Sequence, residues 1–195
     1  MSDSLRVVNE GLVRLGVPPL ASLSDQSAQA MVVEQIYDRQ KRTALANFPW
    51  PFALRERKLE RINVASQDEE FRARWSYTYQ MPNDVIRVLG LHEREPFYLS
   101  RDQLHTNARK ARLVYVEDVG EQNWPEYFQT YVALKVAAAL AISLTDTSAR
   151  ADRMYEEARL QERQARVIAS AETPPEVFET MRIYARPGYN FLAVG

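Results

Sequence analysis

The residue types that most often do chemistry in proteins are sparse in this chain of 195 residues. It contains two histidines and no cysteine, which excludes disulfides, thiolate metal sites and a cysteine nucleophile. His92 and His105 do not fall in a metal-ligand spacing such as HExxH, and no GxSxG nucleophile motif is present. The glycines are scattered and form no phosphate-binding loop. The sequence therefore predicts no catalytic residue, no metal and no cofactor.

Charge is balanced over the whole chain but divided into blocks along it. The net charge of −1 gives no bulk attraction for nucleic acid. Residues 39–61 and 101–112 are mostly basic where they are charged, whereas residues 117–126 carry only acidic charges. Such blocks allow copies of one chain to dock on each other, although a patchy solvated surface explains the same pattern. The candidate residues for a self-docking interface are Arg55, Arg57, Lys58, Arg61, Glu117, Asp118 and Glu121.

The helices that must position these residues follow from glycine, proline and apolar spacing. Residues 126–173 contain neither Gly nor Pro, which predicts helices over 124–144 and 148–171, with Asn123 as the first cap. The short TDTS connection predicts an antiparallel hairpin whose seam is the alanine-rich face of the first helix. The thin apolar stripe of the second is typical of a solvated outer helix or a subunit contact.

Two more helices are predicted nearer the N-terminus, over 4–15 and 25–48, with Gly16 ending the first and Ser24 or Asp25 capping the second. Between the helices the periodicity changes to 2, as in WSYTYQ, and further strands are predicted at 85–91 and 112–116. We therefore predict an α+β fold: a helical bundle of about four helices with a small antiparallel sheet of three or four strands inserted at about 52–116.

The C-terminal segment 174–195 is rich in aromatic residues, unlike a disordered tail, and is interrupted by Gly and Pro. We predict an extended arm that orders on a partner chain, although folding back on its own core or wrapping a neighbouring copy are alternatives. The candidate contact residues of the arm are Phe178, Arg182, Tyr184, Arg186, Tyr189 and Phe191.

No membrane association is predicted, because the longest apolar run, 136–142, is far shorter than the roughly 20 residues of a membrane span. The first residues contain charges and no apolar signal region, so we expect a chain that is made in the cytoplasm without a secretory signal.

A series of segments in this chain resembles a known family. In order, they are NEGLVRLGVPPLASLSDQSAQA, LANFPWPFALRERKL, WSYTYQMPNDVIRVLGL, LVYVEDV and NWPEYFQTYVALKVAAALAISL. The series is similar to the head-to-tail adaptor of short-tailed bacteriophages, the tail tubular protein A type, over residues 4–172. No single segment is diagnostic, so the order of the segments carries the resemblance.

The resemblance implies a structural virion protein and not an enzyme. Adaptors of this family form a ring of twelve copies that joins the portal protein to the tail nozzle protein, of the tail tubular protein B type. The ring surrounds the channel through which genomic DNA leaves, without sequence-specific binding. The family's fold is a helical bundle with an inserted β-domain, and its C-terminal arm, here 174–195, binds the portal.

Two other functions stay open from the sequence. Some related adaptors are thought also to hydrolyse peptidoglycan, which requires a Glu as general acid and a second carboxylate. Glu34 and Glu126 are candidates for these roles, although no neighbouring motif marks them. A helical nucleic-acid-binding protein would use the basic residues of 39–61, but no recognition-helix signature is present.

Overall fold

The computed structural model describes residues 2–25, 27–63, 73–145 and 148–172, so the predicted arm at 174–195 lies outside the described residues. The predicted α+β class is confirmed. The described residues form, in chain order, α1 (Asp3–Arg14), α2 (Ala28–Asn47), β1 (Leu54–Lys58), β2 (Arg61–Ile62), β3 (Tyr77–Gln80), β4 (Val85–Leu91), β5 (Phe97–Ser100), β6 (Gln103–Thr106), β7 (Arg112–Glu117), α3 (Glu126–Thr145) and α4 (Ser148–Glu172).

The described residues divide into two compact units. The helical unit contains residues 2–52 and 119–172, and the β unit contains residues 53–118. The chain therefore leaves the helical unit after α2, builds the β unit, and returns to complete the helices.

In the helical unit, α3 is the central helix, because α1, α2 and α4 all pack against it. A helix that is apolar on every side, as α3 is, needs neighbours on every side. Helices α3 and α4 form the predicted antiparallel hairpin: the Tyr127 hydroxyl near the start of α3 donates a 3.0 Å hydrogen bond to Glu172 at the end of α4.

The small residues of α3 also serve a second contact that we did not predict. Helix α1 approaches α3 so closely at Gly11 that a Cβ atom there would lie 2.8 Å from the carbonyl oxygen of Ala133. The small residues of α3 therefore allow close packing of α1 as well as of α4. The prediction named only the contact with α4.

An aromatic cluster fixes the point where the chain leaves α2. Trp50 is fully buried, its indole N–H donates a 2.9 Å hydrogen bond to the carbonyl of Ala44, and its ring centroid lies 4.9 Å from that of Phe128 on α3. Phe52 packs on the same Phe128 ring in an edge-to-face arrangement at 4.9 Å. The FPWPF sequence thus anchors the end of α2 against the central helix.

The end of α1 confirms the predicted stop at Gly16. Gly16 has φ of +72°, and the N–H groups of Gly16 and Val17 donate to the carbonyls of Val13 and Leu12 at 2.9 and 3.0 Å. The following loop is fixed by buried Asn9, whose side-chain amide exchanges two hydrogen bonds, of 2.8 and 2.9 Å, with the backbone of Leu20.

Two predicted helix starts are wrong. The N-cap of α2 is Ser27, whose hydroxyl accepts a 3.2 Å hydrogen bond from the N–H of Ala30, and not the earlier Ser24 or Asp25. Asn123 lies in a separate 3₁₀ turn, Glu121–Asn123, and the carbonyl of Pro125 accepts the first helical hydrogen bonds of α3. At α2 the predicted type of cap residue, a serine, is correct, but a serine three residues later takes the position.

The β unit contains two antiparallel sheets where we predicted one. Their strand orders are β1-β7-β4 and β2-β3-β6-β5. A shared apolar core is formed by Leu59, Tyr79, Leu91, Phe97, Leu104, Ala111, Leu113 and Tyr115. The β5–β6 hairpin was missed because its turn places Arg101, and no glycine, at a positive φ of 53°.

Candidate assembly interface

The basic residues predicted for an interface lie on the surface of the β unit, where some of them already have partners. Arg55 on β1 forms a 2.8 Å ion pair with Glu117 on β7, and Arg57 lies 4.0 Å from Asp84. The antiparallel β1–β7 pairing, with Arg55 opposite Tyr115, brings these side chains together. Two members of the predicted set therefore satisfy each other within one chain, and their contact with another copy stays a prediction.

The other β-unit members of the set are less tightly held. The Arg61 guanidinium lies over the Tyr77 ring, 4.4 Å from its centroid, which follows from the pairing of β2 with β3. Lys58 is exposed at the end of β1, and the backbone N–H of Asp118 donates a 2.7 Å hydrogen bond to the backbone carbonyl of Asp84. Lys58 and Arg61 are thus exposed positive charges, as Arg55 and Arg57 are.

Glu121, the last member, lies in the helical unit and is largely buried. Its carboxylate accepts hydrogen bonds from the Tyr37 hydroxyl at 2.8 Å and from the Lys41 ammonium at 3.2 Å. Only 14% of the Glu121 side chain and 15% of the Lys41 side chain are exposed. Glu121 therefore ties α2 to the turn before α3 and offers little surface to another copy.

The protonation of this cluster follows from its burial and hydrogen bonds. Burial acts to raise the pKa of Glu121, but hydrogen bonds from its own backbone N–H, from Tyr37 and from Lys41 hold that pKa below its ordinary value. Burial, together with the hydrogen bond to Glu121, strongly raises the pKa of the Tyr37 hydroxyl. The cluster is thus a neutral phenol and an ion pair at neutral pH.

Both histidines have structural partners in the β unit. His92 is exposed and lies 3.1 Å from Glu56. His105 is fully buried, with Nδ1 3.0 Å from the Thr78 hydroxyl and its ring stacked on Tyr98, and burial lowers its pKa. Within the described ranges, no group of three or more His, Asp or Glu side chains is placed to hold a metal ion.

The β unit also has an open groove of about 660 Å³ between the turn after β3, strand β4 and the β5–β6 turn. Its charged lining residues are Arg87, Arg101 and Asp102. A glycosidase needs two carboxylates flanking the scissile bond, and this groove supplies one. The two carboxylates considered for that chemistry, Glu34 and Glu126, are exposed on the separate helices α2 and α3.

Exposed apolar side chains on two helices were not recognised as a feature from the sequence. On α4 the buried face consists of Ala151, Met154, Ala158, Ala165 and Ala169. Tyr155 and Ile168 lie outside this buried face and are 50% and 42% exposed. The spacing of Leu160 and Val167, two turns apart on the outer side, is the signal that would have found this face.

The basic block at 39–61 is divided between the two units. Arg39, Lys41 and Arg42 belong to α2, whereas the remaining basic residues belong to β1 and β2. The block is therefore not one helical surface of the kind that reads a DNA groove.

None of the helices in the described part of the chain is long and apolar enough to cross a membrane. No protein-family model matches the chain, and no curated protein matches it.

Proposed function

We propose that this chain is a structural virion protein, the head-to-tail adaptor of a short-tailed bacteriophage of the tail tubular protein A type. After synthesis in the host cytoplasm it joins the virion at the head–tail junction. There it forms a ring of twelve copies that connects the portal protein to the tail nozzle protein, of the tail tubular protein B type, around the DNA channel.

The observation that carries this proposal is the architecture of the described chain. The resemblance implies a helical bundle with an inserted β-domain. The chain has α1 and α2, then the β unit, then α3 and α4, with the insert entering and leaving the helical unit at neighbouring points of its core. Phe52 at the exit and Trp124 at the return both pack edge-to-face on Phe128.

The mechanism of such a protein is geometric. A closed ring of identical subunits forms when two different surfaces of each copy meet and the rotation between copies closes. The helical unit supplies a packed body for this purpose, because α1, α2 and α4 all pack on its central helix. The channel wall has to avoid strong phosphate contacts, since these hold a duplex in a salt-dependent way.

The proposal assigns portal binding to the arm at 174–195. Portal-templated ordering of this arm costs conformational entropy, which makes assembly sequential because the ring forms only where a portal is present. Its aromatic residues, among them Tyr184 and Phe191, are the side chains that act most often as anchors in pockets of a partner.

The decisive experiment mixes the purified chain with the portal protein of the same phage and measures the mass of the complex. We expect a complex whose mass exceeds that of the portal by a whole number of copies, twelve for a complete ring. A mixture in which both proteins keep their separate masses contradicts the proposal. A matched chain lacking residues 174–195 serves as the control for arm-dependent binding.

An assay on purified peptidoglycan separates this proposal from a lytic function. We expect no release of soluble muropeptides by the wild-type chain. Release that is abolished in Glu34→Gln or Glu126→Gln would assign hydrolysis to the adaptor.

A further inference from the structure

Six of the seven large, exposed apolar side chains in the described residues lie on α2 and α4. On α4 these are Tyr155, Leu160, Val167 and Ile168, and on α2 they are Met31 and Val32. Val167 is 70% exposed and Met31 is 54% exposed. Helices α2 and α4 both pack on α3, so these apolar patches lie on two different elements that flank one central helix.

The charges beside these patches have opposite signs. The outer face of α4 carries Arg163 between Leu160 and Val167, whereas Arg159 one turn before it is paired with Glu156 at 3.1 Å. The outer face of α2 carries Glu34 and Asp38 within two turns after Met31. Neither Glu34 nor Asp38 has an ion-pair partner among the described residues, so both negative charges are accessible to another chain.

From these observations we infer that α4 of one copy docks antiparallel on α2 of the next copy, with Val167 on Met31. This inference rests on the proposed ring and names the surfaces that close it. In this antiparallel register Arg163 falls opposite Gln35, one residue from Glu34, so the Arg163 guanidinium can reach the Glu34 carboxylate.

The pairing explains why the two faces differ. Val167 on Met31 forms the apolar centre of this contact, and Arg163 beside Glu34 forms its charged rim. The opposite charges at the rim favour this register.

Pairing of α4 with α4 of another copy is the alternative, because an antiparallel pair centred between Arg163 and Gln164 places Leu160 opposite Val167 twice. Such a pair closes at two copies, whereas a ring requires two different surfaces on each copy.

The absence of cysteine from the chain makes the contact directly testable by disulfide formation. Two single-cysteine variants, Met31→Cys and Val167→Cys, are mixed and oxidised, with and without the portal protein. We expect a disulfide-linked pair in the mixture and no pair from either variant alone. Lys110→Cys, an exposed position in the β unit, replaces Met31→Cys in the matched control for random collision.

A charge exchange tests the register. Arg163→Glu in the Val167→Cys chain should lower the yield of the cross-link severalfold, and Glu34→Arg in the Met31→Cys chain should restore it. Cross-linking that does not respond to either substitution overturns the assigned register, because the charges then do not face each other.

The double variant with both cysteines distinguishes this inference from the proposed function. A ladder of linked multimers supports the contact. A portal complex of the expected mass without a ladder keeps the adaptor function and overturns the contact, as does pairing of Val167→Cys alone. A ladder without any portal complex keeps the contact and overturns the adaptor function.

Discussion

Glu121 shows why a charged residue in a sequence block is not automatically a surface charge. We selected it for an interface because its neighbours are acidic, but it is held by Tyr37 and Lys41 inside the helical unit. Sequence order could not reveal this, because its partners are about 80 residues away and arrive only when α2 packs beside the start of α3. A buried ion pair is costly to break on one side, so this cluster matters more for stability than for docking.

Replacing Glu121 by Gln should destabilise the protein in a pH-dependent way. The folded state holds the pKa of Glu121 below its ordinary value of 4.5, so the charge stabilises the fold fully above that pH. This contribution is lost as the pH falls through the folded-state pKa. We expect Glu121→Gln to lower the free energy of unfolding by about 1–3 kcal/mol at pH 7, and by less in acid.

Urea denaturation at neutral and acidic pH measures this difference. Glu126→Gln is the matched control, because Glu126 is exposed at the start of α3. If the difference in the free energy of unfolding between wild type and Glu121→Gln is the same at both pH values, the Glu121 charge does not stabilise the fold as assigned.

Two glycines in α1 and after it should respond to substitution for different physical reasons. A Cβ at Gly11 lies 2.8 Å from the Ala133 carbonyl oxygen, so Gly11→Ala requires α1 to move away from α3 and should cost about 1–3 kcal/mol. A Cβ at Gly16 would have no neighbouring atom within 4 Å. Gly16→Ala should therefore lower the free energy of unfolding only by the cost of a left-handed φ for a residue with a side chain, about 1 kcal/mol.

Thermal unfolding of these two variants, together with Gly16→Asn and Gly11→Ser, compares the mechanisms. Gly16→Asn should recover part of the loss at that position, because Asn tolerates the left-handed conformation. Gly11→Ser should be no better than Gly11→Ala, since any Cβ meets the same backbone oxygen. A higher melting temperature for Gly11→Ser than for Gly11→Ala would contradict the assigned contact between α1 and α3.

At the level of elements, the helices were predictable and their first turns were not. The apolar spacing and the absence of Gly and Pro fix where α3 and α4 run, because these signals repeat over many residues. Their starts depend on one hydrogen bond, which several nearby side chains could make. In α2 that hydrogen bond is made by Ser27, although Ser24 and Asp25 are also good cap residues.

The strands were predictable only where their pattern was strong. The alternation of Tyr77 and Tyr79 with polar residues predicts β3, and the apolar run at 85–91 predicts β4. Strands β5 and β6 are four residues long, and their turn has no Gly or Asn. The buried pair Phe97 and Leu104 inside that hairpin becomes recognisable only once the second sheet is known.

The interior of the helical bundle should reject larger side chains. Ala138 is fully buried on α3, which has neighbours on every side, so Ala138→Leu should lower the free energy of unfolding by about 1–3 kcal/mol through overpacking. Ala149→Leu on the exposed side of α4 is the matched control and should change it by less than about 0.5 kcal/mol. Equal effects of the two substitutions on the melting temperature would mean that α3 is not the centre.

At the level of the whole molecule, charge pairing within the chain changes how assembly must work. We predicted that the basic block of one copy docks on the acidic block of another, because the two blocks lie far apart in the sequence. In the fold, however, Arg55 and Glu117 form an ion pair between adjacent strands of one sheet. Exposed charges also lie on helices α2 and α4, beside exposed apolar side chains. Copies that meet through these faces combine apolar burial with a charged rim, as specific protein interfaces do.

The last 22 residues carry the prediction that bears most directly on function. Large aromatic side chains left in water are unfavourable by about 1.5 kcal/mol or more each, so Phe178, Tyr184, Tyr189 and Phe191 need a surface to cover them. If that surface is the portal, removing residues 174–195 should abolish portal binding and leave the melting temperature unchanged.

A full-length chain with Tyr184, Tyr189 and Phe191 changed to Ser is the sharper test, because it keeps the length and the charges of Arg182 and Arg186. We expect it to lose portal binding almost as completely as the truncated chain, since aromatic anchors dominate the energy of such contacts. A lower melting temperature in both variants would mean that the arm covers its own core. Weaker cross-linking between copies, with portal binding intact, would mean that it wraps a neighbour. Normal portal binding by both variants, measured by the mass of the complex, would exclude the arm as the portal-binding element.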